Sequence, residues 1–484
     1  MLKPGPVPAL ARRFALPLAL LLAACGGGDD TPQAPESLQL LMRRGDTMPG
    51  GLVVNQVESA RLGADGTVIV IASRAGTPTV NGVYRRRPNG DYDLLLDENS
   101  PLAQGLTMTS VAQLLMAPTG EATFKEGGNR LDGETVFYFD GSRTFRLAGA
   151  RNPQQPPGFR KLGELRIAPN GLLGFTYGSD GNEPCSIDSS SGTERITCKL
   201  RLMYGFPDDL REVQLPNPLE NQRPTSVGLE FNANGELLVG LPSSGRNPLI
   251  GIVRNGVFSS LIERQATFEE FGTLLSATPR AISNHGEVLF DARFDSDGDR
   301  EIDQEHVMLW TNGGFLSLAR LREPAGTKVV VDVQGIALDD FGRATYQIRF
   351  NDPGQATGPI SLRQWQDGVE REIAFEGQKG FGEDDEGNEY RLLEIRSVRA
   401  NRSGDVVFLA RVGFIDDGTE ETVETRLLRW DGSGGLETVL RTGSEFSGGI
   451  IGSIETLSDI NDRGDLLLII QLRGSGRALV LIPR

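Results

Sequence analysis

The chain has 484 residues, with 49 lysine or arginine and 65 aspartate or glutamate residues, and its formal net charge is −16. Such an acidic chain lacks the basic face that binding to nucleic acid requires. It contains only two histidines, and no triad, metalloprotease, P-loop or dinucleotide-binding motif is present. These observations exclude nucleic-acid partners and assign no catalytic residue.

Residues 1–24 are predicted to be a signal peptide. A basic N-terminal region precedes an apolar run of 11 residues at 14–24, which is too short to span a bilayer as a helix. The run ends in "LAAC" at 22–25, which resembles the lipobox of bacterial lipoproteins. That resemblance implies acylation of Cys25 and anchoring in the bacterial cell envelope, and Gly26 in place of aspartate favours the outer membrane. The alternative is a secretory signal cut elsewhere.

Residues 25–36 are predicted to be a flexible tether. The segment is rich in glycine, proline and acidic residues, so it has nothing to bury. No other apolar run is long enough to cross a membrane. The lipid on Cys25 is therefore the only membrane contact that we expect.

Cysteine usage also agrees with export. If Cys25 carries lipid, Cys185 and Cys198 remain, and they flank a short, turn-rich segment. In an oxidising compartment we predict a disulfide between them. Two free thiols or a metal pair are the alternatives.

One sequence unit recurs eight times after the tether. Each copy has a short turn that ends in glycine and is followed by an apolar strand, as in "SNHGEVLF" at 283–290. Asparagine or aspartate at the first turn position can bond its own backbone, and glycine supplies a positive φ. The glycines, 51 to 64 residues apart, are Gly66, Gly120, Gly171, Gly235, Gly286, Gly342, Gly404 and Gly464.

The strands within a unit predict the fold class. Residues 465–472, "DLLLIIQL", are apolar enough for a strand that is buried on both faces. Third and fourth strands follow, such as "RLLRW" at 426–430 and "LETVL" at 436–440. Four antiparallel strands per unit predict an all-β single propeller at 37–484, with eight blades, or seven as the alternative. Arrays of β-sandwiches and β-solenoids are the other architectures considered.

The two ends of the repeat region favour a closed propeller. The last unit has three predicted strands, and "SLQLLMRRG" at 37–45 is a fourth-type strand without the other three. Pairing this N-terminal strand into the last blade closes the ring and removes exposed sheet edges. The Arg44-Gly45-Asp46 tripeptide, which adhesion ligands use, lies here. Because residues 41–51 align with 439–449, we interpret the tripeptide as the end of a repeated strand and its exit turn.

The region after the tether therefore resembles a family of exported bacterial propellers with tandem Asn-x-x-Gly repeats, each followed by an apolar strand. The segments that carry this resemblance most clearly are "ISNHGEVLF" at 282–290 and "INDRGDLLLI" at 460–469. It implies a propeller fold and assigns no biochemical activity.

The longest loops are predicted on one rim. In blades with strands a to d, the b–c hairpins and d–a links share that rim, and binding residues favour loops on a rigid scaffold. The hairpin that contains Asp295, Asp297, Asp299 and Asp303 resembles calcium loops of the integrin and thrombospondin type, although Arg300 stands where those loops have glycine. Alternate carboxylates can converge on Ca²⁺, which takes about six to eight oxygen ligands. The alternative is a solvated acidic tip in which Arg300 pairs with a carboxylate.

We expect a lipid-anchored cell-envelope propeller that acts as a non-catalytic binding or scaffold protein and presents an acidic loop face to a protein or glycan. Apart from Ca²⁺, no cofactor is expected. An envelope-assembly scaffold is one alternative, by analogy with the propeller lipoprotein of the outer-membrane barrel-assembly machinery. A glycan-active enzyme is another, and a convergent carboxylate pair in an apolar-walled central pocket would favour it.

Overall fold

The structure is a computed structural model. It describes residues 34–484 except for 76–79, 104–110, 127–134, 150–160, 180–185, 189–194, 198, 216–226, 242–249, 264, 313, 326–327, 352–357, 385, 417–418, 433 and 447. The described residues contain no α-helix, and their only helical turn is of the 3₁₀ type, at Pro101–Ala103. No helix among them is long and apolar enough to cross a membrane.

Eight antiparallel sheets form the blades of a β-propeller, and apart from an inserted hairpin in blade 3 and the N-terminal strand in blade 8 each is built from consecutive strands. Blade 1 contains β2 (Gln56–Leu62), β3 (Val68–Arg74), β4 (Val80–Arg86) and β5 (Tyr92–Leu96), and blade 2 contains β6 (Val111–Met116), β7 (Ala122–Glu126), β8 (Thr135–Phe139) and β9 (Thr144–Gly149). Blade 3 contains β10 (Lys161–Ile167), β11 (Leu173–Ser179), β14 (Lys199–Gly205) and β15 (Arg211–Val213). Blade 4 contains β16 (Gly228–Phe231), β17 (Leu237–Gly240), β18 (Ile250–Arg254) and β19 (Val257–Ile262). A separate hairpin, β12 (Ser186–Asp188) with β13 (Arg195–Thr197), interrupts blade 3.

Blades 5 to 8 each carry one additional short strand. Blade 5 contains β20 (Thr267–Phe268), β21 (Gly272–Ile282), β22 (Val288–Asp295), β23 (Gln304–Thr311) and β24 (Gly314–Arg320), and blade 6 contains β25 (Pro324–Ala325), β26 (Lys328–Leu338), β27 (Ala344–Asn351), β28 (Ile360–Gln366) and β29 (Val369–Phe375). Blade 7 contains β30 (Lys379–Glu383), β31 (Glu389–Ala400), β32 (Val406–Asp416), β33 (Thr419–Trp430) and β34 (Leu436–Arg441). Blade 8 contains β35 (Glu445–Phe446), β36 (Gly449–Ile460), β37 (Leu466–Leu472), β38 (Gly476–Ile482) and β1 (Gln39–Arg43). The additional strands β20, β25, β30 and β35 arise because each d–a link folds back on the start of its inner strand.

The ring is closed, and the eight-blade prediction is confirmed. The inner long strand of each blade contacts the inner strand of the next blade. The ring is completed by β36 of blade 8, which contacts β2 of blade 1. The N-terminal strand β1 pairs antiparallel with β38, with Leu40 opposite Val480. Strand β1 is therefore the outer strand of the last blade, as the unmatched ends of the repeat region predicted.

The apolar side chains pack between blades, with one buried cluster at each of the eight interfaces. Strand β37 supplies two of them. Leu466 and Leu468 face blade 7, whereas Leu467 and Ile469 face blade 1. Because both faces of the strand are covered, it reads as an uninterrupted apolar run rather than an alternating one.

The Arg44-Gly45-Asp46 tripeptide lies in the turn that leaves β1. Asp46 Oδ2 accepts the N–H of Arg43 at 2.8 Å, and Gly45 has a φ of 94°. The aligned copy after β34 has the same conformation, since Gly443 has a φ of 85°. The stretch is thus a strand end with its exit turn, as interpreted from the repeat.

The Asn-x-x-Gly turns join neighbouring blades along one rim. Asn461 Oδ1 accepts the N–H of Asp465 at 2.9 Å, and its Nδ2 donates to Gly63 O of blade 1 at 3.1 Å. Asn401 makes the same pair of bonds, to Asp405 N and to Asn461 O of blade 8. The asparagine therefore holds its own turn and reaches the next one.

Blade 6 makes the same connection to its neighbour with a carboxylate and an arginine in place of the asparagine amide. Asp339 replaces the asparagine, and its Oδ1 accepts the N–H of Arg343 at 2.9 Å. The Arg343 guanidinium pairs with Asp339 and donates to Ser403 O of blade 7 at 2.5 Å. Arginine at the fifth turn position thus supplies the inter-blade donor that the amide supplies elsewhere.

Candidate functional site

The two rims of the propeller differ in how their charges are paired. We call the rim of the b–c hairpins and d–a links the upper face. It carries exposed carboxylates without a described lysine or arginine partner, namely Asp297, Asp299, Glu301, Glu420 and Glu421. On the opposite, lower rim several carboxylates are paired with arginine, as in Arg343–Asp339 at 2.5 Å and Arg484–Asp405 at 3.0 Å, although Asp208, Asp367 and Asp462 are exposed there without a described ion pair. Among the described residues, the upper face therefore offers the larger group of exposed carboxylates without ion pairs.

The predicted calcium loop is the hairpin tip between β22 and β23. Carboxylate oxygens of Asp295, Asp297 and Asp303 lie within 4.8 Å of one another, whereas Asp299 lies outside this group. Asp295 is buried, and its oxygens accept the N–H groups of Gly298 at 2.6 Å and Arg300 at 2.9 Å. Three of the four predicted ligands thus converge, on a loop that wraps the first of them.

Two further details bear on this loop. Arg300 has a φ of 73°, so the position where similar loops have glycine does require a left-handed backbone. Ser296 donates its N–H and its hydroxyl to Asp303 Oδ2, and these bonds hold the pKa of Asp303 below its usual range. The carboxylate of Asp303 is accordingly ionised at neutral pH and available to a cation.

Cys25, Cys185 and Cys198 lie outside the described residues, so lipidation and the disulfide stay predictions.

A cavity of about 760 Å³ lies inside the ring of inner strands. It is lined by the inner strands β10, β16, β21, β26 and β31 and also by residues of β27 and β28 in blade 6, so it occupies the central channel on the side of blades 3 to 7. Its charged lining residues are five arginines and two glutamates, namely Arg166, Arg280, Arg349, Arg396, Arg399, Glu164 and Glu230. The channel is therefore lined by polar groups with an excess of positive charge, in a protein that is acidic as a whole.

The two glutamates in the cavity share one arginine. Arg166 lies 2.8 Å from Glu164 and 3.2 Å from Glu230. The Glu230 side chain keeps 39% of its surface open to the channel, yet its enclosure by the blades raises its pKa, and Arg166 opposes that rise. Neither glutamate is a free base, because the guanidinium already bonds both.

A second arginine, Arg280, is also neutralised. It bonds Asp291 at 2.7 Å, and Asp291 additionally accepts the N–H of Gly335 from blade 6 at 2.8 Å. Burial raises the pKa of Asp291, against the opposing charge of Arg280. The ion pair joins the first two long strands of blade 5, and the bond from Gly335 connects Asp291 to the inner strand of blade 6.

His306 is fully buried beside the cavity. Its Nδ1 lies 2.8 Å from Ser317 Oγ and its Nε2 3.1 Å from Gln304 Oε1. The rings of Phe271 and Phe294 pack against it, and burial lowers its pKa to about 4. Gln304 stands where a catalytic triad has a carboxylate, so nothing here stabilises the imidazolium that such a triad forms.

Sequence reasoning did not find the channel residues, although a signal was present. Two positions before the turn that starts each repeat, five of the eight copies carry a charged residue, namely Arg61, Arg166, Glu230, Arg399 and Asp459. The last of these accepts the N–H of Leu62 from the next blade at 3.0 Å. A charge at the end of an otherwise apolar strand indicates that the strand borders a polar channel.

No protein-family model matches the sequence, and no curated protein matches it significantly. Several solved structures are similar in fold. The β-propeller domain of the Trilobed protease from Pyrococcus furiosus has 11% identity and a TM-score of 0.41, covering 80% of this chain and 98% of that one. The Dos1 propeller has 9% identity and a TM-score of 0.40, covering 93% and 94%. An oligogalacturonate lyase in complex with manganese has 10% identity and a TM-score of 0.37, covering 91% and 98%. These likenesses are too low to bear on activity.

Proposed function

We propose that the protein is a lipid-anchored propeller of the bacterial cell envelope that binds a protein or glycan through its acidic upper face without transforming it. The observation that carries this proposal is the larger group of exposed carboxylates without described ion pairs on the upper face. Unpaired carboxylates on a rigid rim attract a basic or metal-bridged partner at little conformational cost. Paired carboxylates on the lower rim serve the joints between blades instead.

A photo-crosslinking phenylalanine analogue placed on each rim tests the proposal. Ile415, at the upper hairpin tip of blade 7, is 47% exposed, and Phe341, in the lower turn of blade 6, is 64% exposed. Irradiation of intact envelopes is expected to give a discrete adduct from position 415 and none from position 341. The adduct is expected to disappear in the Cys25→Ser variant, which cannot be anchored.

Equal adducts from both positions would argue against a binding face on the upper rim. An adduct that persists in Cys25→Ser would remove the requirement for the anchor and leave the face intact. Because Ile415 and Phe341 are both exposed apolar side chains, non-specific hydrophobic association should produce adducts from both positions.

We further propose that Ca²⁺ orders the blade 5 hairpin of this face. The convergence of Asp295, Asp297 and Asp303 supports this proposal. Three carboxylates that approach one another without a counterion repel, and a divalent cation removes that repulsion. An ordered hairpin would present the upper face in one conformation.

Calcium is expected to raise the melting temperature of the wild type in a saturable manner, since a ligand at a hundred times its Kd stabilises by roughly 2.7 kcal/mol. Asp297→Asn replaces a carboxylate ligand by a neutral amide oxygen and is expected to weaken the apparent affinity by about tenfold or more. Glu301→Gln, an equal charge change in the same loop, is the control. Differential scanning fluorimetry across a calcium titration makes the comparison. An identical calcium response from Asp297→Asn and the wild type would contradict the site.

The carboxylate pair in the channel is the observation that would favour a glycan-active enzyme. Glu164 and Glu230 do lie together, but both bond to Arg166, and the surrounding walls are polar. A glycosidase needs one carboxyl that is free to accept or deliver a proton. Binding is therefore the function that the geometry supports better.

A further inference from the structure

We propose that the central channel holds a second site, which binds a small polyvalent oxyanion bearing carboxylate or phosphate groups through Arg396 and Arg399. Both arginines line the cavity of about 760 Å³. That size lies in the range of small-molecule sites, roughly 300 to 1,000 Å³. The site is separate from the acidic upper face, so either can fail without the other.

The backbone of β31 places the two arginines on one side. Residues three apart point to opposite faces of a regular strand. Here Arg396 is opposite Leu409 and Arg399 is opposite Val407, so one extra residue lies between them and the strand bulges. The bulge turns both side chains toward the channel.

The bulge itself belongs to the fold, but its occupants are particular to blade 7. A one-residue shift recurs near the ends of the inner strands of blades 5, 6 and 8. Only blade 7 has arginine on both sides of it. Ser397, within the bulge, has a φ of 54°, a conformation that a non-glycine residue adopts at a cost of about 1 kcal/mol or more.

Neither arginine forms an ion pair within the described part of the chain, although the buried Asp459 carboxylate of blade 8 attracts Arg399 from beyond ion-pair distance. Arg166 and Arg280 pair with carboxylates, whereas no carboxylate forms an ion pair with Arg396 or Arg399 there. The Nη1 of Arg399 donates only to Val398 O, at 3.3 Å. Both side chains are exposed to the channel, so they are solvated and ready to exchange water for a ligand.

The neighbouring groups indicate the class of ligand. Guanidinium groups bind carboxylate and phosphate with two parallel hydrogen bonds. Arg349, whose Nη1 donates to Gly358 O, adds a third positive charge to the lining. The amides of Gln334 and Gln347, which bond each other at 2.9 Å through one donor and one acceptor, and the hydroxyl of Thr278 add neutral polar groups to the lining. A ligand with several anionic groups on a polar frame fits this lining best.

Calorimetric titration of the whole mature protein, in calcium-free buffer of low ionic strength, tests the proposal. The probes are tricarballylate, inorganic phosphate and the neutral trimethyl ester of tricarballylate. We expect one equivalent of at least one of the two anions to bind and the ester not to bind. The Arg396→Gln/Arg399→Gln double variant should bind on the order of ten- to a hundredfold more weakly.

The control is Arg473→Gln, which removes an exposed arginine from the b–c turn of blade 8, outside the cavity lining. It should bind as the wild type does, and the single variants Arg396→Gln and Arg399→Gln replace the double variant if that fails to fold. If tricarballylate binds more tightly, the site selects carboxylate groups. If phosphate binds more tightly, the site selects phosphate groups. Absence of saturable binding of either anion at millimolar concentration, or equal loss in Arg473→Gln, would overturn the site.

Discussion

Replacement of Asn461 by alanine is expected to lower the free energy of unfolding by about 3 kcal/mol, because it leaves buried polar groups without partners. Its Nδ2 donates to Gly63 O at 3.1 Å and to Asp465 Oδ2 at 2.9 Å. Its Oδ1 accepts the N–H groups of Arg463 and Asp465 at 3.1 and 2.9 Å. The bond to Gly63 joins the last blade to the first, so the loss falls on the interface that closes the ring.

Urea unfolding followed by circular dichroism measures the effect. The matched control is Asn89→Ala, since Asn89 also stabilises a turn but is exposed and bonds only Asp91 of its own hairpin. We expect that change to stay within about 0.5 kcal/mol. Equal unfolding midpoints for Asn461→Ala and Asn89→Ala would show that the turn ladder between blades does not stabilise the propeller.

A chain that begins at Arg44, without β1, is expected to lose cooperative thermal unfolding and to aggregate. Removal of β1 leaves β38 as an unpaired edge strand and uncovers the apolar clusters on both sides of blade 8. Leu38, Leu41 and Met42 are buried there. At about 1.5 to 3 kcal/mol for each buried side chain, the loss approaches the whole stability of an ordinary domain, roughly 5 to 15 kcal/mol.

A chain that begins at Ala34 is the control, because it lacks the leader and most of the tether but keeps β1. It should melt as the longer mature chain does, and a synthetic peptide of residues 34–46 should restore part of the lost stability to the shorter chain. Size-exclusion chromatography and calorimetry make the comparison. A shorter chain that melted cooperatively within a few degrees of the control would show that closure by β1 is dispensable.

One of the repeats that lack the asparagine shows what a comparison of sequence patterns misses. "DDFGRATY" at 339–346 lacks the asparagine and therefore looks like a poor copy. In the structure Asp339 and Arg343 together hold the turn and reach blade 7, as Asn401 does alone. The connection depends on the position of a donor across the blade interface. A comparison of sequences scores residue identity. It therefore does not recognise that Asp339 and Arg343 together replace the asparagine.

The carboxylate cluster in the proposed calcium loop was predictable only in part. The D-x-D-x-D spacing identifies the hairpin tip, since alternate residues of a tight loop can converge on one point. The structure brings Asp295, Asp297 and Asp303 together and leaves Asp299 out of the group. Which carboxylates converge depends on the backbone of the loop, including the left-handed Arg300, and spacing alone does not specify it.

The all-β class, a propeller of eight blades, with seven as the alternative, and the closing role of β1 all follow from the amino-acid sequence. Those features depend on local turn chemistry and on a count of strands, and both are written along the chain. Only the tertiary structure decided what lines the channel. A period of two would place Arg396 and Arg399 on opposite faces of β31, and the bulge at Ser397 reverses that assignment. The channel is also assembled from strands of five blades, so its charge is a property of the closed ring.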